Sequence, residues 1–141
     1  MILGGVEIPH TRGLDGHSDA DALMHAISDA ILGALGEPDI GHFFPNSDPR
    51  WENAPSRIFL QEAAAQVSKR GGSVVNVDVT VIAQAPKIFP HIAAMKQTLA
   101  AALGVSEKKI CVTATTNEGL GFAGREEGIA ALAVAGVDLP D

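Results

Sequence analysis

Apolar residues recur at three- and four-residue intervals at Leu23, Ala26, Ile27, Ala30, Ile31 and Ala34. That spacing predicts a helix with one buried stripe. Ser18 is placed to open it as an N-cap, with Asp21 three residues on in a capping-box-like position and Asp19 adding negative charge to the first turn. Gly36 and Pro38 end it. A second helix is expected from Ser56 as its cap, with Phe59, Ala63 and Val67 inward and a stop at Gly71-Gly72. A third carries Ile92, Met95, Leu99 and Leu103 and ends at Gly104. Strict alternation marks the clearest strand, where Val75, Val77, Val79 and Val81 interleave with Asn76, Asp78, Thr80 and Ile82. Further strands are expected at Ile2–Ile8, Ile110–Ala114 and Gly128–Val137, and a glycine-marked turn at Gly119, Gly121 and Gly124. The segment Glu37–Pro55, rich in Gly, Pro, Asn, Ser and Asp, reads as one long loop of the kind that often carries function. Together these elements predict a single α+β domain, with helices packed on one face of a roughly four-stranded mixed sheet.

Composition narrows the class. A chain of 141 residues suits one core, and 46% apolar with 19% charged residues is a globular balance. No apolar run approaches the roughly 20 residues of a membrane span, and the N-terminus lacks the basic and apolar regions of a signal peptide. The single cysteine, Cys111, cannot form an internal disulfide and fits a reducing cytosol. Net charge is −7 with ten scattered Lys and Arg, which argues against a nucleic-acid partner. An acidic chain can still hold a phosphorylated small molecule through a few cations, backbone N–H groups or a metal.

Four segments could carry chemistry. Ser18, Asp21, His25 and Ser28 or Asp29 share a helical spacing, and a histidine there can ligate zinc with a carboxylate fixing its tautomer; a solvent-facing helix is the plainer alternative. The loop from Asp39 to Asp48 mixes carboxylates, glycine and aromatics and could grip a polyol, although Asn46-Ser47-Asp48-Pro49 is also ordinary turn chemistry. Ala83-Gln84-Ala85-Pro86-Lys87 follows the valine strand, where Lys87 could meet a phosphate or merely sit in a proline-rich connection. Thr113 to Glu118 ends the next strand in hydroxyl and amide groups, and Arg125 beyond it offers a fork of donors. The glycines match neither a P-loop nor a dinucleotide fingerprint, and Cys111, without a neighbouring base, reads as structural.

Taken in order, Gly16-His17-Ser18-Asp19-Ala20-Asp21 with His25 and Asp29, Asp39-Ile40-Gly41 with Phe44-Pro45, Asn76-Val77-Asp78-Val79-Thr80, Gln84-Ala85-Pro86-Lys87, and Gly119-Leu120-Gly121-Phe122 through Arg125 and Gly128 resemble the 2-C-methyl-D-erythritol 2,4-cyclodiphosphate synthases. The resemblance covers residues 1–141 as one domain. It implies an enzyme that cyclises 4-diphosphocytidyl-2-C-methyl-D-erythritol 2-phosphate with loss of CMP, a phosphorus–oxygen lyase. It also implies a homotrimer with sites between subunits, and divalent metal, Zn²⁺ together with Mg²⁺ or Mn²⁺. By this match His25 is a metal ligand, and His17 and Thr116 are catalytic. Ser18 and Phe44, Pro45, Asn46, Ser47 and Asp48 face the methylerythritol side, with Asn46 where aspartate is common. Asp39, Ile40 and Gly41 contact ribose. Ala83, Gln84, Ala85, Pro86, Lys87, Ile88 and Phe89 surround the cytidine and its phosphates with Thr115, Asn117 and Glu118. Phe122 and Arg125 border a central cavity that could take a prenyl phosphate.

The family's usual first strand with Asp-x-His is not seen before His17, so the sequence reads as shortened by about one strand and a loop. The expected location is the cytoplasm, or a plastid if a transit segment has been removed. Two rivals are a non-catalytic ligand-binding module on the same scaffold and a structural trimer that binds a prenyl phosphate as regulator.

Overall fold

In the computed structural model, which describes residues 1–10 and 20–141, the chain opens as a hairpin rather than the single strand expected over Ile2–Ile8. Strand β1 (Ile2–Leu3) pairs antiparallel with β2 (Val6–Glu7). Gly4 and Gly5 make the two-residue turn at φ 59° and 74°, both in the left-handed region that tight hairpins favour. There is no room for a side chain at this turn. A Cβ on Gly4 would lie 2.8 Å from Met95 Cγ, and one on Gly5 2.3 Å from Thr98 Cγ2.

Helix α1 (Ala22–Ala34) begins later than the expected start at Ser18, which lies outside the described residues. Its cap is Asp21, whose Oδ1 accepts from the Met24 N–H at 3.0 Å. The same carboxylate accepts from Gly4 N–H at 2.9 Å and Gly5 N–H at 2.7 Å, so one side chain 1% exposed fastens the hairpin turn to the helix start. The apolar stripe is rotated from the expected one. Leu23, Ile27 and Ile31 are buried as predicted, but Met24, Ser28 and Leu32 join them while Ala34 is exposed. The helix packs against both the sheet and the second long helix, α3 (Ser56–Lys69), which buries a wider arc than a single stripe. Ser28 is therefore not on a polar face, and its hydroxyl is satisfied by donating to the Met24 carbonyl at 2.8 Å.

The expected loop Glu37–Pro55 contains a short helix α2 (Ile40–Phe43) and a 3₁₀ turn at Pro49–Trp51. Helix α3 (Ser56–Lys69) follows, with Pro55 at the cap and Ser56 as its first helical residue; Leu60, Ala63 and Val67 are buried. Strand β3 (Ser73–Ile82) leads to helix α4 (Ile92–Leu103), which ends at left-handed Gly104. Strand β4 (Ile110–Thr115), a short helix α5 (Gly121–Gly124) and strand β5 (Ala130–Asp138) complete the order.

The sheet has three strands among the described residues, in the order β4-β3-β5, rather than about four. It is mixed, since β3 runs parallel to β4 and antiparallel to β5. The N-terminal hairpin closes its own two-stranded ladder at Gly4-Gly5 and does not join it. Val77, Val79, Val81, Ile110 and Val112 point into one core with the long helices, so the helices cover one face as expected. The valine alternation has one fault. A register shift lies between Val74 and Asn76, so Val74 is buried in place of the expected Val75, which is exposed. The other sheet face carries Leu132 and Val134 of β5, both exposed.

Candidate functional site

Strands β3 and β4 run parallel, so their C-terminal ends lie side by side, with Ile82 opposite Thr115. The Ala83 N–H continues the ladder by donating to the Thr115 carbonyl at 3.0 Å. Beyond this point the chains diverge around a cleft of about 190 Å³ lined by Ala83, Gln84, Pro86, Lys87, Ile88, Phe89, Ala114, Thr115 and Thr116. Two segments some thirty residues apart thus meet as the sequence reading expected. Ala85 is in the same loop but not in the wall, and its bond to Pro86 is cis. Ile88 is buried beneath the cleft, while Lys87 and Phe89 are exposed at its mouth. Ala114, inside the Thr113 to Glu118 segment but not among the residues given a role there, is also in the wall. Its signal was available, since it precedes Thr115 on the strand that ends at the cleft.

The turn after β4 is held by side chains. Thr116 Oγ1 accepts from the Glu118 N–H at 3.2 Å, and Asn117 Nδ2 donates to the Leu120 carbonyl at 2.6 Å. Gln84 reaches across from the facing loop, its Oε1 accepting the Gly119 N–H at 3.0 Å. Gly124 then packs directly on Gly119, where an added Cβ would lie 2.1 Å from the Gly119 carbonyl carbon. Arg125 is committed to Glu127 through Nε at 2.9 Å and a second donor at 3.2 Å. That hydrogen-bonded carboxylate, and then its charge, raise the guanidinium pKa above its ordinary value. Phe122 is exposed nearby in sequence, on α5.

A second group of candidates sits on α1 and α2. His25 is 60% exposed, and its Nε2 lies 3.0 Å from Asp29 Oδ2, one helical turn on. The other Asp29 oxygen accepts the Ile40 N–H at 2.8 Å. Asp39 caps α2, accepting from the His42 N–H at 3.3 Å; Ile40 is buried and Gly41 exposed. Phe44 packs edge-on against Trp51 and tilted against Phe59, with ring centroids 4.8 and 4.7 Å apart. Asp48 forks onto Arg50, and Arg50 lies over the Trp51 ring at 5.1 Å. Pro45, Asn46 and Ser47 are exposed on this scaffold. His17 and Ser18 lie outside the described residues.

A neutral histidine with a carboxylate on one ring nitrogen is the arrangement found behind many metal-bound imidazoles, so His25 fits the role of one ligand. Catalytic zinc normally takes three protein ligands. Among the described residues no group of three His, Cys, Asp or Glu could hold a metal ion, so these residues alone do not complete such a centre.

Two clefts of larger volume lie elsewhere. One of about 310 Å³ is bordered by Ser68, Ser73, Ser106 and Lys109, and one of about 370 Å³ by Met24, Asn53, Arg57 and Thr98. The first of these also gathers hydroxyls and a lysine, but only the smaller cleft lies where the parallel strands β3 and β4 end, the place where ligands of α/β-type sheets sit. No helix among the described residues is long and apolar enough to cross a membrane.

Fold and site together define an α+β domain whose strand-end cleft carries hydroxyl, amide and ammonium groups. The YgbB family profile matches residues 1–138, and the chain belongs to that family. It is 53% identical over 141 residues to the 2-C-methyl-D-erythritol 2,4-cyclodiphosphate synthase of Akkermansia muciniphila, covering 100% of this chain and 83% of that one. Among solved structures, the bifunctional IspDF of Campylobacter jejuni superposes with a TM-score of 0.94 at 42% identity; all of this chain matches 38% of that one. The IspF of Plasmodium falciparum, solved as a CDP complex, gives a TM-score of 0.86 at 36% identity, covering 100% of this chain and 84% of that one. The resemblance drawn from the motifs is borne out.

Proposed function

We propose that this chain converts 4-diphosphocytidyl-2-C-methyl-D-erythritol 2-phosphate to 2-C-methyl-D-erythritol 2,4-cyclodiphosphate and CMP. The observation that carries this reading is the strand-end cleft, where Lys87, Thr115 and Thr116 meet in one wall of a member of this family. An oxygen of the substrate's 2-phosphate attacks the outer phosphorus of the diphosphate, and the bond from that phosphorus to the CMP oxygen breaks. The nucleophile is already anionic at neutral pH, so no strong base is needed. What the protein must supply is orientation of a folded substrate and donors for crowded phosphate charge.

Lys87 serves as a mobile point charge at the mouth, and the Thr115 and Thr116 hydroxyls donate from the wall. The exposed Phe89 offers a face for the cytosine ring. A divalent ion, Zn²⁺ with Mg²⁺ or Mn²⁺, would supply further neutralisation when bound, with His25 as its ligand from the described residues. The homotrimer belongs to the same proposal. Leu132 and Val134 are 63% and 72% exposed on the sheet face that no helix among the described residues covers, a pattern that fits burial against further copies. We assign the enzyme to the cytoplasm.

The test is CMP release from the diphosphocytidyl substrate, followed by phosphorus NMR of the product. The expected result is a cyclic diphosphate formed in step with CMP. Tight CDP binding with no product under any divalent metal would favour a ligand-binding module instead.

A further inference from the structure

We infer that Asp29 is a positioning residue that sets the tautomer of His25 and, through its second oxygen, holds the start of α2 where the nucleotide reading places ribose contacts. The first half rests on geometry alone, and the second rests on the proposed function. Asp29 Oδ2 is 3.0 Å from His25 Nε2, and Oδ1 accepts the Ile40 N–H at 2.8 Å. A carboxylate only accepts, so in the neutral imidazole the proton must sit on Nε2. That leaves the lone pair on Nδ1, on a side chain 60% exposed, as an acceptor for a divalent cation. Asp29 comes from the middle of α1 and Ile40 is the first residue of α2, so the same carboxylate ties two elements together. The imidazole and the start of the Asp39-Ile40-Gly41 segment thus share one carboxylate.

The substitution Asp29→Asn separates the two roles. Its carbonyl oxygen can keep the Ile40 N–H, but its amide nitrogen must then face His25 Nε2 as a donor. The flipped amide would set two donors against each other at Ile40, so it is disfavoured. The imidazole must answer by moving its proton to Nδ1, which removes the free lone pair. Asp29→Ala removes both bonds.

The experiment uses the metal-free chain, labelled with ¹⁵N, and long-range proton–nitrogen correlation at a pH about two units above the ordinary imidazole value of about 6.5. The wild type is expected to show Nε2–H at His25, and Asp29→Asn to show Nδ1–H. The same tautomer in both, or Nδ1–H in the wild type, overturns the assignment. CDP titration reads the second role. Asp29→Asn should bind within about twofold of wild type, and Asp29→Ala at least about tenfold more weakly, the scale of one lost charge-assisted bond. Equal loss in both variants, or none in Asp29→Ala, overturns the coupling. A wild type that does not bind CDP removes the nucleotide reading and the coupling with it, and the tautomer result still decides the first half.

Discussion

Lys87 is exposed at the cleft in a loop between prolines, where its charge can meet a ligand. Lys87→Ala should weaken CDP binding by about 1–3 kcal/mol, the range for a charge-assisted bond, and leave the thermal midpoint within a degree or so. Calorimetric titration beside a melting curve checks both; unchanged affinity would mean the nucleotide lies elsewhere. Asp21 is the opposite case. It is buried and accepts from three backbone N–H groups, those of Gly4, Gly5 and Met24. Asp21→Ala leaves these donors without that acceptor and should cost at least about 2 kcal/mol in urea unfolding. Of the polar residues in the first helix motif, this one acts through folding. Its burial could not be read from spacing, because two of the three donors lie 17 and 16 residues away in the chain.

Among the elements, the turn after β4 shows how local conformation serves the cleft. Gly124 abuts the Gly119 backbone, and Gly119 is tied to Gln84 on the opposite loop. Gly124→Ala must push that turn away and carry Thr116 with it. Turnover should fall by about tenfold or more, since small misplacements of positioned groups are expensive, while CD of the helices stays native. A variant with full activity would show that the turn does not position Thr116. The start of α1 at Ala22 has a related reason: Asp21 serves the helix and the hairpin turn together.

For the whole molecule, the face of the sheet away from the helices is the feature a single chain leaves unexplained. Leu132 and Val134 stand on it beside Thr80 and Asp78 of the central strand, with Thr113 and Cys111 one strand further on. If further copies cover that face, Leu132→Lys with Val134→Lys should convert a trimer to monomers in light scattering, because buried unpaired lysines are costly. A wild-type chain that is already monomeric at micromolar concentration would sink the proposal.

Much of this protein was legible in its sequence, because several determinants are local or periodic. The three long helices, the strands around Val77–Val81 and Ile110–Ala114, and the stop at Gly104 follow from residues within a few positions of one another. The ordered motifs from Gly16 to Gly128 likewise pointed to the family. Tertiary structure decided what depends on distant partners. It made Ile2–Glu7 a hairpin, since Gly4-Gly5 abuts Met95 and Thr98, and it replaced Val75 by Val74 in the core through a shift against β5. It also spent Arg125 on Glu127 and joined His25 to Ile40 through Asp29. A one-dimensional pattern records which side chains can bury or bond, whereas the competition among partners is settled only when the chain brings them together.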